Sequence, residues 1–132
     1  MKPLKVAVMN SSKEITTVLR EILEDAGYST CTMFTYEFKE DHAFFDEFIK
    51  SNQPNVIVYD IALPYTENYN LFKKLYARPL VKKIPFVLTT TNKSALESLV
   101  GKTKTHELVG KPYDLEEILQ SIKEAYAKNK ES

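Results

Sequence analysis

Four short apolar stretches of this chain end on residues able to do chemistry. Asp60 follows the run 56–59, Thr90 follows 86–89, Lys111 follows 107–110, and Asn10 with Ser11 follows 4–9. The set is a carboxylate, a hydroxyl, an ammonium and an amide–hydroxyl pair. Taken singly, each has a plain structural account. Ser11, with Glu14 three residues later, reads as a capping box in front of a helix. Thr90 reads as a β-branched strand end, and Lys111 with Asp60 as a structural ion pair. Their common place is what joins them: in an open parallel α/β sheet, ligands gather at the carboxyl ends of the strands, beside the point where strand order reverses.

The elements that would position these residues alternate along the chain. Short β-branched runs at 4–9, 28–34, 56–59, 86–89 and 107–110 predict strands, and 56–59 is apolar throughout, as a strand covered on both faces would be. Between them lie helical spacings. Ile15, Val18, Leu19, Ile22, Leu23 and Ala26 mark the first helix, stopped at Gly27, where a left-handed residue suits a helix end. Phe38, Phe45, Phe48 and Ile49 mark one face of a second helix, which ends before Pro54. A third follows Pro64 with Leu71, Phe72, Leu75 and Tyr76. Asn92 caps a short fourth helix carrying Leu96, Leu99 and Val100. Asp114 caps the last, with Leu115, Ile118, Leu119, Ile122 and Tyr126, while residues 128–132 have nothing to bury and are expected to fray. The repeat of roughly 21 to 30 residues is near the ~30 of a βαβ unit. It predicts an α/β domain with a doubly wound, five-stranded parallel sheet and right-handed crossovers.

Composition narrows the function. The 132 residues suit one domain. Eighteen basic side chains balance eighteen acidic ones, so neither nucleic acid nor a membrane surface is expected as a partner, since both want a basic excess. No apolar run approaches the ~18 residues of a spanning helix, and the opening segment is too brief and interrupted for a signal peptide. The lone Cys31 makes no intrachain disulfide and reads as a small buried hydrophobe. A reduced, cytoplasmic protein is the expectation. With three glycines the chain has little material for phosphate-cradling loops; Gly101-Lys102-Thr103 imitates a P-loop end, but Leu96 stands where the first glycine belongs. His42 and His106 lack partners at metal-ligand spacing. The acidic group Glu37, Glu40, Asp41, Asp46 and Glu47 reads as a solvated helix face. No Ser-His-Asp order, glycosidase pair or dinucleotide fingerprint is present.

Three segments together carry a resemblance. Pro54-Asn55-Val56-Ile57-Val58-Tyr59-Asp60-Ile61-Ala62-Leu63-Pro64 resembles the phosphoacceptor strand of two-component response-regulator receiver domains, the CheY-like family. Ile84-Pro85-Phe86-Val87-Leu88-Thr89-Thr90 and Gly110-Lys111-Pro112-Tyr113-Asp114-Leu115-Glu116-Glu117 resemble later motifs of the same family, in the same order. The resemblance spans essentially the whole chain and implies a (βα)5, flavodoxin/CheY-like fold.

It also implies a chemistry. Asp60 would be the nucleophile that accepts a phosphoryl group from a phosphohistidine of a sensor histidine kinase, Thr90 would donate to a phosphoryl oxygen, and Lys111 would balance charge. Lys111-Pro112 falls where receivers use a cis peptide. The departure lies at the first strand. Receivers hold magnesium there with adjacent acids, and this chain has Asn10 and Ser11. With Asp60 and the Ala62 backbone carbonyl as the remaining ligands, a hard cation loses two carboxylates, and a weak or lost magnesium site is expected. Leu108 replaces a switch aromatic, and Tyr65 and Asn68 stand where the loop usually has glycines. Tyr65 is bulky enough to cover the acid, and asparagine enters the left-handed region more readily than most residues.

The leading expectation is a signalling module, a phosphoprotein or pseudo-receiver with Asp60 as candidate phosphoacceptor, working mainly through protein contacts rather than as an enzyme. One alternative is an active phosphoacceptor that tolerates weak metal binding. A second, from another class, is a small flavodoxin-like ligand binder or enzyme, since fold alone never settles function. The family often pairs through its fourth helix, fifth strand and fifth helix. Here that face mixes Lys93, Lys102, Lys104 and His106 with Glu116, Glu117, Lys123 and Glu124, which suits a protein partner or a second copy better than DNA.

Overall fold

The computed structural model describes residues 3–39, 41–100, 107–110 and 115–131. Strands β1 (Lys5–Asn10), β2 (Ser29–Phe34), β3 (Val56–Ile61), β4 (Phe86–Thr90) and β5 (Glu107–Gly110) form one parallel sheet in the order β2-β1-β3-β4-β5. Strand order reverses about β1, so β1 and β3 flank the switch point where such sheets open a crevice. Helices α1 (Lys13–Asp25) and α6 (Leu115–Glu131) cover one face. Helices α2 (Thr35–Phe38), α3 (His42–Asn52), α4 (Tyr65–Tyr76) and α5 (Lys93–Val100) cover the other.

The two-residue period of the strands sorts the core. Val6, Val8, Val56, Val58 and Val87 pack with Leu19 and Leu23 of α1 and with Ile118 and Ile122 of α6. Their chain neighbours Ala7, Met9, Ile57, Tyr59, Phe86 and Leu88 face α2 to α5. That second layer is aromatic: Phe72 of α4 lies 5.4 Å from Tyr59 and 5.3 Å from Phe86, ring centre to ring centre, the first pair tilted and the second edge-on, as ring quadrupoles prefer. β3 is buried at every position, so the apolar run ends on a polar residue held inside the sheet.

Several elements differ from the sequence reading. The second helix is two. Phe38 and Phe45 are both fully buried, as one face would require, but they belong to separate helices, α2 ending at Phe38 and α3 starting at His42. Glu37 Oε2 accepts from Phe34 N at 2.8 Å and Asp41 Oδ1 from Ala43 N at 2.9 Å. The first bond caps the start of α2, and the second competes with a continuous helical ladder and starts α3 afresh. The acidic group is therefore not only a solvated face, and Asp46 in it is ion-paired to Arg78, with Arg78 Nε 2.6 Å from Asp46 Oδ1. A 3-10 turn at Pro79–Val81 precedes β4. α6 continues to Glu131, and Asn129 Nδ2 donates to the carbonyl of Lys83. Gly27 does adopt a left-handed φ of 97° after α1. Asn68 does not need that region, because it lies inside α4. Asp114 as a cap and the Lys111-Pro112 peptide fall outside the described residues; a cis peptide joins Leu63 and Pro64.

Candidate functional site

The carboxyl edge of β1 and β3 positions the site. Asp60 is 6% exposed and lies on the valine face of the sheet, since it follows Val58 by two. Its register partner in β4 is Thr89, and partners in a parallel pair project to the same side. Thr89 Oγ1 donates to Asp60 Oδ1 at 2.7 Å, a buried hydrogen bond to a carboxylate. Thr90 pairs with Ile61 and so faces the opposite layer; its Oγ1 accepts from Asn92 N at 3.3 Å where α5 begins. The hydroxyl against the acid is thus that of Thr89. The tandem Thr89-Thr90 concealed it, because only the pairing of Val58 with Val87 settles which of the two shares a face with Asp60. Lys111 lies outside the described residues.

At the end of β1, Asn10 is 2% exposed and its Oδ1 accepts from Ser12 N at 2.8 Å. That turn carries the chain one residue further before the helix starts. The cap of α1 is therefore Ser12, whose Oγ accepts from Ile15 N at 3.3 Å, and not Ser11 with Glu14. Ser11 is left exposed on the wall of a cleft of about 220 Å³. Asp60, Ala62 and Asn68 line the same cleft from the β3 side, and Thr35 and Lys39 from the segment after β2. Asn68 Nδ2 donates to the Ala62 carbonyl at 2.8 Å. Tyr65 does not cover the acid: its hydroxyl is bonded to Thr91 Oγ1, beyond β4. Burial pushes the Tyr59 phenol well up, and the neighbouring Asp60 carboxylate adds to the effect, so this core hydroxyl keeps its proton.

The structure therefore gathers Asp60, Ser11 and the Ala62 backbone at one cleft, with Asn10 at the adjoining strand end and Thr90 turned away. Thr89, Thr35 and Lys39 are the residues the sequence reading missed. Among the described residues, no group of three or more His, Cys, Asp or Glu side chains is placed to hold a metal ion, and no helix is long and apolar enough to cross a membrane.

A buried strand-end carboxylate at the switch point of a parallel sheet with the order β2-β1-β3-β4-β5 is the arrangement of the CheY-like receiver fold, and the chain has that fold. Its sequence is similar to that of response regulators. It is 23% identical to the phosphate regulon transcriptional regulatory protein PhoB of Rhizobium meliloti (strain 1021) over 120 residues, 90% of this chain and 50% of that protein. With response regulator MprA of Mycobacterium sp. (strain KMS) the identity is 24% over 122 residues, 92% of this chain and 50% of that protein. The chain thus spans about half the length of the curated relatives it matches. Among solved structures, a CheY-like receiver domain protein from Methanospirillum hungatei JF-1 superposes with a TM-score of 0.71 at 19% identity, covering 98% of each chain. No protein-family model matches the sequence.

Proposed function

We propose that this chain is a receiver-type signalling module of a two-component phosphorelay, with Asp60 as phosphoacceptor and a weakened magnesium site. The observation that carries the reading is the placement of Asp60, buried at the carboxyl edge of β3, hydrogen-bonded by Thr89 and opening onto a cleft. The residues do not fit the hard dication that the fold family implies. Among the described residues Asp60 is the one carboxylate lining the cleft, Asn10 Oδ1 already accepts from Ser12 N, the Ala62 carbonyl from Asn68 Nδ2, and Ser11 offers a neutral hydroxyl. Without a full acidic pocket, the −1.5 to −2 units of charge that a phosphoryl group adds are poorly compensated. Phosphorylation is then slow and incomplete, and the module works mainly through contacts with a sensor histidine kinase or another signalling protein, in the cytoplasm, rather than as an enzyme. Pairing through α5, β5 and α6 belongs to the same proposal.

Magnesium titration, followed by tyrosine fluorescence, tests the metal reading. The double variant Asn10→Asp, Ser11→Asp is expected to bind magnesium more tightly than the parent by at least about tenfold, because two anionic ligands return. Equal affinities sink the reading. Incubation with a small phosphodonor and magnesium, read by intact mass, tests the acceptor: slow, partial modification abolished by Asp60→Asn is expected. Rapid, complete modification of the parent favours the fully active receiver instead.

A further inference from the structure

The short segment between β2 and α3 brings a cation to the site. Lys39 follows α2 directly and lines the cleft together with Asp60. Among the described residues these two are the charged ones that line it, so a basic residue stands on the wall where a metal-binding cleft would carry more acid. Such a cleft repels a dication more than an intact acidic pocket does, and it suits an anion arriving at Asp60. Lys39 is exposed, and its flexible four-carbon stem lets the charge follow a ligand. Ser11 and Thr35 line the same cleft, and a hydroxyl is a group that can donate to an oxyanion.

We propose that Lys39 takes the place of the divalent cation: its ammonium binds a phosphoryl oxygen as Asp60 is phosphorylated, so that the reaction needs no metal. The inference rests on Asp60 being the phosphoacceptor. With phosphoramidate as donor, an Asp60 carboxylate oxygen forms the new O–P bond while the P–N bond breaks. Its electron pair leaves with the nitrogen, which departs as ammonia with the protons it already carries. Transfer of this kind is mainly positioning and charge compensation, and both are within reach of a mobile ammonium and two hydroxyls.

The test incubates the full chain with phosphoramidate in EDTA or in millimolar magnesium and follows intact mass over time, for the parent, Lys39→Met, Lys39→Arg and Asp60→Asn. The parent is expected to gain a single phosphoryl group, slowly and in part, at similar rates in both buffers. Lys39→Met is expected to slow the EDTA reaction at least about tenfold, roughly 1.4 kcal/mol in the barrier, and Lys39→Arg to restore most of it. Because Lys39 is exposed, thermal melts of the variants should match the parent, which separates loss of charge from loss of fold. Modification in magnesium but not in EDTA overturns the inference and leaves Asp60 as the acceptor. An unchanged rate for Lys39→Met in EDTA overturns it too. No modification in either buffer overturns the acceptor reading, and the inference with it.

Discussion

Replacing Thr89 with valine removes one hydrogen bond and little else. Valine keeps the β-branched shape that β4 accommodates, and Thr89 is fully buried, so the change removes the donation to Asp60 without exposing β4. A hydrogen bond to a charged group contributes about 1.5–3 kcal/mol, and the methyl that replaces the hydroxyl returns a fraction of its ~0.8 kcal/mol burial value. The expected net loss is about 1–2 kcal/mol. In a domain of this size that lowers the melting temperature by roughly 3–8 °C. Thr90→Val is the control, since its hydroxyl only accepts a 3.3 Å bond from Asn92 N; about 0.5–1 kcal/mol is expected there. Urea unfolding followed by circular dichroism gives both values. A double-mutant cycle of Thr89→Val with Asp60→Asn isolates the pair, with a coupling of about 1 kcal/mol expected. A coupling near zero, or a larger loss for Thr90→Val than for Thr89→Val, would refute the register-based assignment of the hydroxyl.

Capping at the start of α1 separates two adjacent serines: Ser12→Ala should cost about 1 kcal/mol in urea unfolding and Ser11→Ala about a quarter of that or less. The Arg78 guanidinium, through its hydrogen bonds first and its charge second, holds the Asp46 carboxyl below its ordinary value. A depressed carboxyl contributes stability above its unfolded pKa and loses it as pH falls through the folded one. Arg78→Met should therefore lower stability at pH 7 by about 0.5–1 kcal/mol for this partly exposed pair. The gap from the parent should close as acid is added below the ordinary carboxylate range; a gap that persists at the acid end denies the ion pair that role. Burial pushes the Cys31 thiol up to about 11 against a smaller opposing pull from Lys5, so iodoacetamide at pH 8 should label the folded chain far more slowly than the urea-unfolded one. Equal labelling rates would show the thiol to be accessible.

The layered α/β plan was legible in the sequence because its cause is local. Alternating β-branched runs and helical spacings bury one stripe each, and no long-range information is needed to see that the run 56–59 lies inside the sheet or that Asn92 begins a helix, where its Oδ1 accepts from Ala95 N at 3.0 Å. Asp60 was legible for the same reason: it is a polar residue closing a fully apolar run. Tertiary structure alone decided what surrounds it. Whether Thr89 or Thr90 touches the acid depends on the register between two strands separated by a whole helix, and a step of one residue exchanges the faces. The break between α2 and α3, beside which Lys39 lines the cleft, depends on Asp41 bonding the Ala43 amide that a continuous helix would have used. Spacing shows which residues can share a face, but the partner each polar atom finds is set by where the other strands and loops come to rest.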